Sequence, residues 1–168
     1  MSPIVVPAIW LLSGACAVAG PALARSSNNL QADFPPQFSD YPAKPGPIVR
    51  PVAPKLTSRM DFEYRSRLRR GLKDPPNFAG HYRMVLWGCG TQCVTGAAVD
   101  KNSGRITFLP FTVCCSANQS DDFKPIAFRR ESNLIIFSGL LNETPPEGSH
   151  FYIFDGRSFV YLRPLTPK

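Results

Sequence analysis

The residues best able to do chemistry are four cysteines. Cys89 and Cys93 lie in the run Trp87-Gly88-Cys89-Gly90-Thr91-Gln92-Cys93, and Cys114-Cys115 form a doublet further on. A cysteine serves as nucleophile, metal ligand or half of a disulfide, and its surroundings decide which. A four-cysteine zinc site normally repeats C-x-x-C, but here three residues separate the first pair and none the second. A redox dithiol normally opens a helix with C-x-x-C, whereas Val94-Thr95 continues as strand. A nucleophilic Cys89 activated by His81 would need a free thiol. Disulfides are the favoured expectation, and four cysteines allow three pairings. Joining Cys89 to Cys93 leaves Cys114 with Cys115, whose Cα atoms are only ~3.8 Å apart against about 5.5 Å in an unstrained bridge. The crossed pairings, 89–114 with 93–115 or 89–115 with 93–114, avoid this and are preferred. Each crossed bridge closes roughly 20–25 residues, worth about 3 kcal/mol. A labile Cys114–Cys115 bridge stays open as the switch-like alternative.

Other catalytic constellations are thin. His81 and His150 are the only histidines, and neither stands in an H-E-x-x-H spacing. Glu143 and Glu147 flank Pro145-Pro146 in one segment without a further acid to work against. No G-x-S-x-G occurs. The sequence therefore assigns no catalytic residue, no metal ligand and no cofactor. Enzymatic activity is left open, with the balance toward a non-catalytic protein.

The setting of the cysteines comes from the first residues. Ile4 to Ala19 is an uncharged apolar run followed by Ala22-Leu23-Ala24, a small-x-small site. This pattern predicts a secretory signal over 1–24, cleaved near Ala24 into the periplasm or medium, where disulfides persist. A lipoprotein at Cys16 is disfavoured because Ser13 stands where a lipobox carries Leu. No charge lies in the first 24 residues, so the remainder keeps the whole net charge of +7. Such a surface suits a protein partner or an anionic envelope polymer, and argues against nucleic acid for an exported chain.

Residues 25–56 hold prolines at 35, 36, 42, 45, 47, 51 and 54 and read as a disordered Pro-rich linker. Phe34, Phe38 and Tyr41 are its exceptions, able to dock on the domain or on a partner. Thr57 to Leu72 reads as one amphipathic helix capped by Ser58 and Asp61, with Met60, Tyr64, Leu68 and Leu72 as its apolar stripe. Acid-first pairs, Asp61 with Arg65 and Glu63 with Arg67, suggest a salt-bridged outer face. Its basic end leaves peripheral membrane contact open.

From Phe78 the period changes to two. Gly80–Trp87 and Cys93–Asp100 read as strands, the second slimmed by Gly96, Ala97 and Ala98. Arg105–Phe111 returns across Lys101–Gly104. Pro125–Arg130 pairs with Asn133–Leu140, and Ser149–Asp155 with Ser158–Leu165, with Leu141–Gly148 as a loop. The fold class is mainly β, with α+β as its variant: an antiparallel meander of about seven strands, barrel- or sandwich-like, after one N-terminal helix, over residues 57–168.

The segments Asn77-Phe78-Ala79-Gly80-His81-Tyr82, Trp87 to Cys93, Gly96-Ala97, Val99-Asp100 and Arg130 to Ile135 together resemble a group of small exported bacterial proteins. The resemblance implies an envelope or secreted location and carries no activity with it. The expectation is a disulfide-stabilised binding or inhibitor module of the envelope. Trp87, Arg83, Thr91 and Gln92 are its candidate contacts, at a tip pinned by cysteines. The alternatives are thiol chemistry at Cys89, Cys93, Cys114 and Cys115, and a structural protein held on anionic polymer.

Overall fold

The computed structural model describes residues 35–44, 46–47, 52–115 and 123–162. The expected signal segment and Cys16 lie outside them. The elements are a 3-10 turn at Phe38–Asp40, helices α1 (Arg59–Glu63) and α2 (Arg65–Gly71), and eight strands. The strands are β1 (Tyr82–Gly90), β2 (Cys93–Asp100), β3 (Ile106–Phe108), β4 (Val113–Cys114), β5 (Ile126–Phe128), β6 (Leu134–Leu141), β7 (Thr144–Phe154) and β8 (Phe159–Tyr161). All pairings are antiparallel. The principal path is β1-β2-β4-β6-β7-β8, with β3 on β2 and β5 on β6, and it does not close.

The meander has a narrow waist. β3 and β4 share one edge of β2, while β4 and β5 share one edge of β6. Val113 pairs with Val94 on one side and Leu141 on the other, and Cys114 pairs with Leu140. Two residues therefore join a β1–β3 half to a β5–β8 half.

Alternation sorts the side chains onto two faces. Tyr82, Met84 and Ala98 meet Val113, Ile126, Ile135, Phe137 and Phe154 in one core. Val85, Trp87, Ala97 and Val99 form a second core with Leu68, Tyr64 and Leu72 from the helices. The first core requires a curled sheet. β1 and β7 are four steps apart along the path, about 19 Å if flat, yet the Tyr82 and Phe154 rings are 4.8 Å apart. The Tyr82 hydroxyl and Arg105 both donate to the Gly156 carbonyl across this closure. Phe78 fills the end, its ring against Phe128, Phe154 and Phe159. Ala79 and Gly80, both with positive φ, fold the chain back there, and Gly80 exchanges hydrogen bonds with Arg130.

Several sequence expectations change. The helix is two pieces, broken at Tyr64, and Met60 leaves the stripe, 49% exposed. The Asp61–Arg65 ion pair does not form. Asp61 is buried, and its carboxylate accepts from the Thr57 amide and hydroxyl and from the Ser58 amide, while Ser58 accepts from the Asp61 amide. The expected loop at 141–148 is a tight hairpin turning over Asn142 and Glu143, both at positive φ. Pro145 and Pro146 fit inside β7 because the register is irregular between Gly139 and Leu141, where no ladder N–H is needed.

The described part of the Pro-rich segment is bound, not a disordered linker. The Ala43 amide donates to Glu131, the Asn133 amide to Tyr41, the Val52 amide to Lys101 and the Lys55 amide to Gly104. Gly104 is required there: its φ is +75°, and a Cβ would strike the Ala53 carbonyl.

Burial opposes ionisation of Asp61, but the hydrogen bonds from Thr57 and Ser58 outweigh it and hold its pKa below 3.8. This contribution is present above the unfolded-state pKa and is lost as pH falls through the folded one. Asp61→Ala should cost about 1–2 kcal/mol at neutral pH, read from urea midpoints. Its difference from the wild type should shrink as pH falls below the usual carboxylate pKa of about 4. A pH-independent difference would remove the carboxylate from the account.

Candidate functional site: a cysteine-closed hairpin and an apolar groove

The β1–β2 hairpin ends in a two-residue turn, Thr91-Gln92, with Gln92 at φ +53° and Gly90 paired to Cys93. The register shifts between Gly88 and Gly90, which lifts Cys89 out of the ladder beside Cys93. The two are disulfide-bonded with Cα atoms 5.1 Å apart, inside the ordinary range of about 4.4–6.8 Å. This overturns the crossed pairing. Cys114 is committed to β4, buried against β6, and Cys115 turns out of the strand at φ +59°. Both are free thiols, one buried and one exposed. The glycines on either side of Cys89 were the signal for the bulge. The ring closed by residues 89–93 is short, so its stabilisation falls to about 2 kcal/mol.

The Cys114 thiol is pushed up to about 11, first by its hydrogen bond to Cys115 and then by burial. Both effects disfavour its thiolate, the form in which a cysteine acts as a nucleophile. Cys89 is bonded, and His81, which precedes β1 at the end away from Cys89, instead faces Asp100 with Nε2 3.4 Å from Oδ1. Burial disfavours the Asp100 carboxylate, but hydrogen bonds from Ser103 and Asn102 hold its pKa low.

The structure does not bring the four candidate contacts together. Trp87 is 7% exposed, stacked on Tyr64 at 4.8 Å and edge-on to Phe108, so it anchors the helices and presents no contact face. Arg83 is half-buried and clamps the segment after α2, binding the Asp74 carboxylate at 2.7 Å and the Pro75 carbonyl at 3.2 Å. Thr91 and Gln92 are exposed at the hairpin tip. Period alone put Trp87 and Arg83 on the mixed face of β1. It did not show that α1–α2 would cover that face.

On the other face, the inward side of β1–β2 is left open beyond Met84. Leu86, 37% exposed, and Val94 face β5 across a groove of about 560 Å³. Phe38, Phe123, Pro125, Ile126 and Phe128 complete its apolar lining, and Lys124 and Arg129 bring positive charge to it. The Arg129 guanidinium lies 4.8 Å over the Phe38 ring, fastening the Pro-rich segment to β5. No single local pattern in the sequence marks this groove. Its signals were Leu86 as third member of the inward face, Phe38 as an aromatic in a proline tract, and the Phe128-Arg129 alternation.

Comparison with protein-family models, curated proteins and solved structures finds no match to the chain. Among the described residues no helix is long and apolar enough to cross a membrane.

The thiol assignment is directly testable. Under native conditions iodoacetamide should label Cys115 first, Cys114 only on unfolding, and Cys89 and Cys93 only after reduction. Peptide mass spectrometry reads this, and labelling of Cys89 before reduction would contradict the bridge. Cys89→Ser with Cys93→Ser should cost about 2 kcal/mol in urea unfolding.

Proposed function

We propose that the chain is an exported, non-catalytic binding module of the envelope. Its ligand seat is the groove between β1–β2 and β5, and its ligand is a single-chain anionic amphiphile. The observation that carries this is the groove itself. At about 560 Å³ it has the size of small-ligand sites, roughly 300–1,000 Å³. Its walls are apolar and its cations are Lys124 and Arg129, an arrangement suited to a hydrocarbon body with an acidic group. The net charge of +7 favours anionic ligands at longer range. The tertiary form belonging to this proposal is a half-closed, sandwich-like barrel whose open side is the groove. Export rests on the apolar run before Ala24 and on the resemblance to small exported bacterial proteins.

A second reading, thiol exchange, is favoured by one observation: an exposed Cys115 thiol hydrogen-bonded to a buried Cys114 thiol. The high pKa of Cys114 weighs against it.

The anionic fluorophore 1-anilinonaphthalene-8-sulfonate is the probe. Its emission should rise on binding the folded protein and be displaced by palmitate. Leu86→Asp should weaken binding about tenfold or more, by placing charge in the apolar wall. Lys124→Glu should weaken it roughly fivefold, and Thr91→Ala should leave it unchanged. Undiminished binding by Leu86→Asp would refute the groove as the seat.

A further inference from the structure

The outer face of the helical segment carries a surface that the groove does not explain. Arg59, Arg65, Arg67, Arg69, Arg70 and Lys73 are all exposed. In the sequence Asp61 and Glu63 are interleaved with them and suggest a neutralised, salt-bridged face. The structure removes that neutralisation. Asp61 is 5% exposed and turned into the helix cap. The ion pairs among the described residues are His81–Asp100 and Arg83–Asp74, so none of these arginines has a carboxylate partner. Only Glu63 opposes six outward cations.

Two large apolar side chains stand beside them. Met60 is 49% and Phe62 52% exposed, in the five-residue α1 that begins at Arg59, with Arg65 opening α2 just beyond it. The mount beneath is rigid. Leu68 is fully buried, Tyr64 stacks on Trp87, and the Lys101 ammonium donates to the Leu72 and Asp74 carbonyls at the end of α2.

We propose that this face docks on the surface of an anionic phospholipid bilayer. The guanidinium groups would meet lipid phosphates and Phe62 and Met60 would enter the acyl boundary. Arginine suits phosphate because its planar fork binds two oxygens at once. A polyanion in solution would need the cations alone. Exposed apolar side chains set among cations are the mark of an interfacial surface. The face is preformed, so no ordering of the helices opposes binding.

The test is co-sedimentation of the purified protein with vesicles of phosphatidylglycerol and phosphatidylcholine, against vesicles of phosphatidylcholine alone. The mixed vesicles should retain the protein and the neutral ones should not. Arg67→Ala with Arg70→Ala should weaken binding about 25-fold, at about fivefold per cation near an anionic surface. Met60→Ser with Phe62→Ser should weaken it about tenfold or more. All four side chains are exposed, and unchanged near-ultraviolet circular dichroism checks that the variants fold. Phe62→Trp should shift its emission to the blue on mixed vesicles only. Equal retention on neutral vesicles would overturn the proposal. So would undiminished binding by either double variant, or binding to dextran sulfate that matches the vesicles and ignores the loss of Met60 and Phe62. None of these results bears on the groove, whose probe reads a different face.

Discussion

The architecture depends on one backbone connection, the double pairing of Val113. Its neighbours across the sheet are Val94 on one side and Leu141 on the other. Without that two-residue waist the strand path would fall into two separate hairpin systems. Gly139 shows how close the fit is. Its φ is +134°, and a Cβ there would strike the Cys114 carbonyl. A narrow waist also lets the sheet bend, since few ladder bonds resist it. The bend brings Phe154 onto Tyr82, while the same inward face stays unfilled beyond Met84, which is where the groove lies. Core, groove and buried thiol thus follow from one place in the chain.

A second organising feature is where the acids go. Asp61 serves the helix cap. Asp100 accepts from the Asn102 and Ser103 amides and the Ser103 hydroxyl. Asp155 accepts from the Arg157 and Ser158 amides and the Ser158 hydroxyl. Hydrogen bonds to Ser158 and Arg157 lower the Asp155 pKa, while at Asp61 and Asp100 similar bonds overcome burial. All three carboxylates are directed into their own turns. The surface therefore presents a stronger positive character than the difference between basic and acidic residues suggests.

Most of the sheet was legible because period two survives wherever one face is buried. Leu134 to Phe137, apolar on both faces, reads as a central strand and lies inside the path as β6. The hairpin over Asp155-Gly156 carries its own turn chemistry. What escaped depended on contacts distant in sequence. The bond between Cys89 and Cys93 follows from a one-residue bulge, which pattern does not encode. Trp87 looks like a contact residue until α1–α2 is laid over it. The proline tract looks disordered on composition, because its hydrogen bonds are to turns some 50 to 90 residues later. The groove was hidden for the same reason: Phe38, Leu86 and Phe128 share no local pattern.

The closure between Tyr82 and Gly156 spans 74 residues, and that between Tyr41 and Ser132 spans 91. Each hairpin can form from neighbours, but these contacts repay chain entropy only after long loops have closed. By contact order alone the curl would be the late event. Until it occurs, the inward faces of both halves stand open to water and to other chains. The four-residue link from Cys89 to Cys93 shortens no part of that search, because it fixes a turn that local pairing already forms. A fold tied at its tip is then still left to find its waist.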